Sequence, residues 1–234
     1  MVMNMEIQNA LIIKEKVAQA AKSVGKNPED ITIIAVTKTV DAHRILKVKE
    51  AGIDIIGENK AQELNEKYEI LKDKFTCHFI GHLQTNKVKQ IVDKVSMIQS
   101  VDSFKLCEEI NKQCIKINKT MDILVEVNIG NEINKSGIGF EEVEEFLKKS
   151  AEFSNLKVRG LMAIPPVCEN KEKTVEYFKK MHKKFIDIKA KNIDNISMDF
   201  LSMGMSNDFE EAILCGSNMV RVGSLMFGKR EYKN

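Results

Sequence analysis

Short apolar segments alternate with longer amphipathic segments along the chain. Residues 31–37 are typical, because β-branched side chains alternate up to Thr37 and Asp41 follows where it can cap a helix. This pattern predicts a buried strand that leads through a turn into a helix. Eight such strands are predicted, at residues 31–37, 53–57, 77–81, 97–101, 123–129, 158–164, 198–203 and 219–223.

Helical periodicity fills nearly all the intervals between these strands. An opening amphipathic helix has Ile7, Leu11, Val17 and Ala21 on one side. Further helices are predicted at about 41–50, 60–72, 86–94, 103–117, 140–151, 172–189 and 206–214. Since a crossover between parallel strands needs a helix, the alternation predicts a parallel sheet.

The number of strands favours closure of that sheet. Eight strands without a Gly/Pro/Ser-rich linker predict a single (β/α)8 TIM barrel with an extra N-terminal helix, occupying residues 1–234 as one domain. An open doubly wound α/β sheet is the alternative. Its dinucleotide fingerprint is not matched, because Gly137 and Gly139 are not followed by the third glycine.

Composition excludes several classes of function. The chain is 43% hydrophobic and 30% charged with a formal net charge of +2, which gives no support to nucleic-acid or membrane binding. No signal peptide is recognisable, and the five cysteines form no Cys-x-x-Cys pair, so we expect a cytoplasmic protein without disulfides or structural zinc. His78 and His82 flank Phe-Ile-Gly at a strand end, where they would not share the face that a helical metal pair needs, so no metal site is expected.

The candidate chemistry begins at Lys38, where an amine follows the first strand. In a barrel, the carboxyl ends of all strands open onto one mouth, where binding and catalytic residues gather. An amine in this position can condense with a carbonyl. A solvated lysine in an ordinary loop is the alternative interpretation of Lys38 taken alone.

Loops after the seventh and eighth strands supply a second candidate group. Ser206 is expected to begin a helix, whose unpaired N–H groups attract anions, while Gly223 allows close approach of the backbone and Ser224 adds a hydroxyl. A phosphate site at these loops recurs in this fold. Each residue taken singly could instead serve only its own turn or cap, and Arg221 could simply pair with a carboxylate.

An amine and an anion site at one mouth match the aldehyde and phosphate of pyridoxal 5′-phosphate (PLP). Arg221 is one strand from Lys38 in a closed barrel, so it can face the pyridine nitrogen. Arginine stays protonated and therefore favours the neutral pyridine, which is a weak electron sink. Transamination is then disfavoured, whereas holding the aldehyde as a Schiff base is not.

Motifs in order along nearly the whole chain carry a family resemblance. They are Ala35-Val-Thr-Lys38-Thr, Gly57-Glu-Asn59-Lys-Ala-Gln-Glu63, His78-Phe-Ile-Gly-His-Leu-Gln-Thr-Asn-Lys87, Lys135-Ser-Gly137, Gly160-Leu-Met-Ala163, Ser202-Met-Gly-Met-Ser206-Asn-Asp208 and Arg221-Val-Gly-Ser-Leu-Met-Phe-Gly228. The chain resembles the pyridoxal phosphate homeostasis proteins, which are related in fold to the amino-terminal domain of alanine racemase.

This resemblance implies roles for particular residues. Lys38 would carry the Schiff base, Arg221 would face the pyridine nitrogen, and Ser206, Gly223 and Ser224 would hold the phosphate. Asn59 would lie beside the ring, with Met203 as part of its wall. The implied function is a carrier that stores PLP and releases it or transfers it to apo-enzymes, with consequences for vitamin B6 and amino-acid balance. Since the dimer-forming second domain of alanine racemase is not seen here, we expect a monomer.

Two alternatives stay open. Alanine racemase uses a tyrosine from a second domain, which is not seen here, and Tyr68, Tyr177 and Tyr232 are not at strand ends, so racemase activity is expected to be weak or absent. A slow racemase or lyase with Lys38 as sole base is the first alternative. A barrel that binds another phosphorylated metabolite, with Lys38 as a charge contact, is the second.

Overall fold

A computed structural model describes residues 4–168 and 170–228. Its strands are β1 (Thr32–Val36), β2 (Ile55–Glu58), β3 (Thr76–Phe79), β4 (Met97–Val101), β5 (Met121–Asn128), β6 (Ile138–Gly139), β7 (Leu156–Ala163), β8 (Ile196–Ser202) and β9 (Met219–Val222). Its helices are α1 (Met5–Ser23), α2 (Ala42–Glu50), α3 (Ala61–Leu71), α4 (Phe104–Lys116), α5 (Val143–Ser150), α6 (Lys171–Lys189), α7 (Phe209–Leu214) and α8 (Ser224–Phe227).

Eight of the strands close into a parallel barrel. The order is β4-β3-β2-β1-β9-β8-β7-β5, and a β4–β5 pairing completes the ring while the short β6 is added beside β5. The predicted (β/α)8 barrel with an extra N-terminal helix is therefore confirmed. Pairing of β1 with β9, in which Ala35 lies opposite Val222, brings the first and last strands together.

The barrel interior has two layers of different polarity. The lower layer is apolar and contains Ile34, Met97, Leu124, Met162 and Met219. Successive side chains of a strand point to opposite faces, so the next inward positions are two residues further along. Those positions hold Val36, Gly57, His78, Gln99, Glu126, Ile164, Ser202 and Arg221. A polar layer thus lies directly below the mouth.

Helix α1 occupies the place where an eighth outer helix is expected. The helix after β9, α8, is only four residues long, and α1 packs against α2, α7 and α8. Asn9 donates a hydrogen bond to the Met226 carbonyl over 3.1 Å. Arg44 joins α1 to the end of the barrel, since it pairs with Glu6 over 2.6 Å and donates to the Phe227 carbonyl.

Several predicted boundaries are wrong. The segment predicted as a helix at 86–94 is a short 3-10 helix, Thr85–Gln90, and the helix predicted from Ser206 begins at Phe209. Strands β5, β7 and β8 each begin two residues earlier than predicted. Helix α1 buries Ala10, Ile13 and Val17, whereas Leu11, predicted to face the core, is 44% exposed.

Tyr68 and Tyr177 lie in α3 and α6, as the sequence indicated, while Tyr232 is outside the described residues. None of the helices in the described ranges is both long enough and apolar enough to cross a membrane.

Candidate functional site

A cavity of about 470 Å³ opens at the carboxyl ends of the strands. Its volume is in the range of small-molecule sites. Six of the seven candidate residues line it, namely Lys38, Asn59, Ser206, Arg221, Gly223 and Ser224. The seventh, Met203, was expected at the wall but is fully buried, and Met205 lines the cavity instead.

Lys38 follows β1 by two residues and is half-buried where its side chain lines the cavity. Its neighbour Thr39 has φ of 63°, a left-handed conformation that is unusual for a β-branched residue. Gly223 lies beside this strand end, since a Cβ on it would come within 3.2 Å of the Val36 Cβ. The amine and the loop after β9 are therefore adjacent.

Arg221 is the charged centre of the polar layer. Its guanidinium donates to the Ser202 hydroxyl over 2.6 Å and to the Ala163 carbonyl over 3.1 Å, and only 3% of the residue is exposed. Burial lowers the pKa of Arg221 to about 10, which leaves it protonated at neutral pH. A fixed positive charge therefore borders the cavity from below.

Hydrogen bonds continue from Arg221 across the barrel in one direction. Ser202 donates to Gln99 Oε1 over 2.7 Å, and the Gln99 amide nitrogen lies 3.0 Å from His78 Nδ1. An amide NH₂ can only donate, so His78 accepts at Nδ1. Burial lowers the pKa of His78 to about 4, so the ring is neutral and can play this part.

Glu126 supplies a carboxyl group to the same layer, facing Arg221 from β5. Burial, together with the Asp102 carboxylate, raises the pKa of Glu126 to about 7, although the Arg221 charge acts in the opposite direction. The charge of the layer beneath the cavity therefore changes near neutral pH.

Ser206 joins the two loops expected to bind phosphate, but not in the predicted way. The helix does not begin at Ser206, because Asp208 accepts from the Met205 N–H over 2.6 Å and holds residues 205–208 as a turn. The Ser206 hydroxyl instead accepts from the N–H groups of Gly223 and Leu225, over 3.2 and 3.3 Å. It therefore caps α8 rather than its own helix.

The two hydrogen bonds that Ser206 accepts determine the direction in which its hydroxyl can donate. A hydroxyl has two acceptor sites and one donor. The backbone of Gly223 and Leu225 uses both acceptor sites, so the O–H is left to donate elsewhere, and Ser206 lines the cavity. The arrangement provides a hydrogen-bond donor for an anion.

Asn59 follows β2 directly and contributes an amide to the cavity wall. Its Oδ1 is buried without a hydrogen-bond partner. Gly81 lies against its backbone, since a Cβ there would be 2.3 Å from the Asn59 carbonyl oxygen. A larger residue at 81 would displace Asn59.

Sequence reasoning missed one side of the cavity. Pro165, Pro166 and the start of α6 line it, including Lys171, which pairs with Glu211. The adjacent Pro165-Pro166 directly after a predicted strand was the available signal for a loop at the mouth. Asp208 also lines the cavity, and burial raises the pKa of its carboxyl group.

Cys107 and Cys114 do not line the cavity, because both are fully buried on α4. Residues 4–168 and 170–228 contain no cluster of three or more His, Cys, Asp or Glu side chains that could hold a metal ion.

Comparison with known proteins agrees with the fold and with the sequence motifs. A family model described as alanine racemase, N-terminal domain, matches residues 12–231, which defines the class of barrel. A pyridoxal phosphate homeostasis protein from Aquifex aeolicus is 40% identical over 221 residues, covering 94% of this chain and 96% of the relative. The counterpart from Haemophilus influenzae is 36% identical and covers 97% and 98%.

A solved structure adds a ligand-bound relative. PipY of Synechococcus elongatus PCC7942, with PLP bound, has a TM-score of 0.79 and 27% identity, covering 91% of this chain and 100% of PipY. The chain belongs to the family of pyridoxal phosphate homeostasis proteins.

Glu126 leads to a prediction about stability. The pKa of Glu126 is about 7 in the folded protein and near 4.5 in the unfolded chain. Between these two pH values the folded state binds more protons than the unfolded state, so the free energy of unfolding falls as the pH rises. Glu126→Gln should remove this contribution, worth about 2–3 kcal/mol. Denaturant unfolding at pH 5 and pH 8 measures the difference from wild type.

Glu141→Gln, at an exposed carboxylate, is the matched control and should keep the wild-type pH dependence. Equal pH dependence in the wild type and Glu126→Gln would contradict the assignment.

Proposed function

We propose that this protein binds PLP at the mouth of the barrel, holds it as a Schiff base on Lys38, and releases it or transfers it to apo-enzymes. It would thereby take part in intracellular vitamin B6 homeostasis, with consequences for amino-acid balance. The observation that carries this proposal is the presence of the Lys38 amine and the Ser206 donor in one cavity above a buried arginine.

The residues fit the groups that PLP presents. PLP supplies an aldehyde that condenses with an amine, with loss of water. Arg221 carries N–H donors suited to a pyridine nitrogen, and the O–H of Ser206 with the exposed Ser224 hydroxyl suits a phosphate. The unpartnered Asn59 Oδ1 suits a donor on the ring.

The names of the relatives support storage and transfer rather than turnover. Both the Aquifex and Haemophilus proteins are called homeostasis proteins, and PipY was solved with PLP bound. Chemistry at the site points the same way, since a protonated arginine beside the pyridine nitrogen does not donate the proton that strengthens the ring as an electron sink. We propose that the protein is a carrier and not an enzyme.

We further propose that it acts as a monomer in the cytoplasm. The cysteines at 77, 107, 114, 168 and 215 are all free thiols, which suits a reducing compartment.

Covalent trapping tests the role of Lys38. Incubation with PLP followed by borohydride should convert the Schiff base to a stable secondary amine on the Lys38 peptide, detected by mass spectrometry. Lys38→Ala should lose the adduct, whereas Lys171→Ala, at the other lysine of the lining, should keep it. A wild-type protein without an adduct at Lys38 would favour the reading in which another phosphorylated metabolite is bound.

Comparison of two ligands tests the phosphate end. Ser206→Ala removes a donor to a charged group, and such bonds are worth about 1.5–3 kcal/mol, so PLP should bind at least about tenfold more weakly. Pyridoxal has the same ring and aldehyde but no phosphate, and its affinity should change little. Equal losses for both ligands in equilibrium titrations would place the phosphate elsewhere.

Cofactor transfer separates a carrier from an enzyme. Protein loaded with PLP and freed of excess cofactor should restore activity to an apo-aminotransferase, while Lys38→Ala treated in the same way should not. A phosphatase that destroys free PLP distinguishes direct transfer, which survives it, from release into solution. Turnover of D- or L-alanine by the wild type that is lost in Lys38→Ala would instead support the slow-racemase alternative.

A further inference from the structure

The turn that carries Lys38 is held by side chains from outside the barrel. Thr39, in its left-handed conformation, donates its N–H to Glu63 Oε2 over 2.6 Å. On the other side of Lys38, the Thr37 carbonyl accepts from Lys67 Nζ over 2.8 Å and the Thr37 hydroxyl donates to Glu58 Oε1 over 2.6 Å. Both neighbours of Lys38 are therefore fixed.

Lys67 connects these contacts. Besides the Thr37 carbonyl, its ammonium contacts Glu58 Oε1 at 2.9 Å and Glu63 Oε2 at 3.1 Å. An ammonium group has three N–H donors, and these three acceptors match them. Lys67, on α3, thus contacts the Thr37 side of the turn and Glu58 on β2 directly, and it contacts the Thr39 side through Glu63.

The cluster is protected from solvent. Side chains of Lys67, Glu58 and Glu63 are 12%, 1% and 17% exposed. Burial raises the pKa of Glu58, and the Lys67 charge opposes that shift, so the ammonium is the group that makes a buried carboxylate tolerable here.

The cluster does not belong to the cavity itself. Position 57 of β2 faces the barrel interior, so the side chain of Glu58 points outward toward α3. Glu58, Glu63 and Lys67 do not line the 470 Å³ cavity. Their contacts with Thr37 and Thr39 leave the Lys38 side chain on the cavity side of the wall.

We propose that Lys67, through Glu58 and Glu63, is a positioning residue that directs the Lys38 amine into the cavity. This rests on the proposed role of Lys38 and extends it to residues that do not touch the cofactor. These contacts stabilise the unfavourable backbone conformation of Thr39. When they are weakened, the turn relaxes and the Lys38 amine is no longer directed into the cavity.

Two readouts that need no PLP test the positioning role. In Lys67→Met, the Thr39 amide should exchange with solvent about tenfold faster, because its acceptor Glu63 loses its partner. Brief labelling with acetic anhydride, read by mass spectrometry, should show a changed Lys38-to-Lys171 labelling ratio. Lys72→Met, from an exposed pair on the same helical segment, should change neither.

A comparison of PLP with one further ligand separates positioning of the Lys38 amine from binding of the ring and phosphate. Pyridoxine 5′-phosphate has the ring and phosphate but no aldehyde, so Lys67→Met should bind it within about twofold of wild type, while the rate of borohydride-trapped PLP adduct falls at least about tenfold. Lys67→Arg should recover part of that rate. An equal loss for both ligands would show a merely structural role and overturn the proposal.

Folding defects and failure of the proposed function give different results. Glu58→Gln/Lys67→Met removes the buried charge pair together and serves if Lys67→Met alone does not fold. Absence of an adduct in the wild type would reject PLP attachment at Lys38, while the exchange and labelling ratios would still decide the positioning role. Unchanged exchange and labelling in the variants would overturn that role even where the adduct forms.

Discussion

The buried charge of Arg221 is the constraint on which the organisation of the barrel depends. A guanidinium removed from water must have hydrogen-bond partners and compensating charge, or its burial would be prohibitively costly. The upper layer supplies hydrogen bonds through Ser202, Gln99 and His78. The Glu126 carboxyl group on β5 supplies compensating negative charge. The apolar layer below these residues fills the lower part of the barrel interior. Burial of one cation therefore explains why the interior is divided and why the cavity has a charged floor.

Much of the fold could be predicted because buried parallel strands have a simple signature. Residues 33–36, for example, are apolar on both faces of their strand, and helices with clear periodicity separate the strands. The features that were not predicted depend on local contacts or on very short strands. The Asp208 side chain closes a turn where a helix was predicted, and the two-residue pairing of β6 is too short to leave a pattern.

The site was predictable residue by residue only where a strand keeps its alternation. Lys38 and Arg221 follow from strand ends and strand neighbours. Met203 was expected at the wall only from the family resemblance, and the alternation contradicts that position, because Ser202 points inward and its neighbour Met203 therefore points away from the interior. Gly204, with φ of 93°, then ends the extended backbone, and Met205 reaches the cavity. Glu126 was visible as one carboxylate at an inward position of an apolar strand. The contacts of Lys67 with Glu58 and Glu63 depend on how α3 packs against β2, and no local sequence pattern predicts that packing.

The pairing of α1 with α8 has a consequence for the order of assembly. Asn9 and Met226 are 217 positions apart, and β1 and β9 are nearly as distant along the chain. Loop-closure entropy makes such long-range contacts the slow ones in folding. Lys38 is on one side of that junction and Arg221 and Gly223 are on the other, so during synthesis a growing chain has no complete site until its final strand has left the ribosome. A ligand that needs all three residues is thereby a natural reporter of the finished barrel.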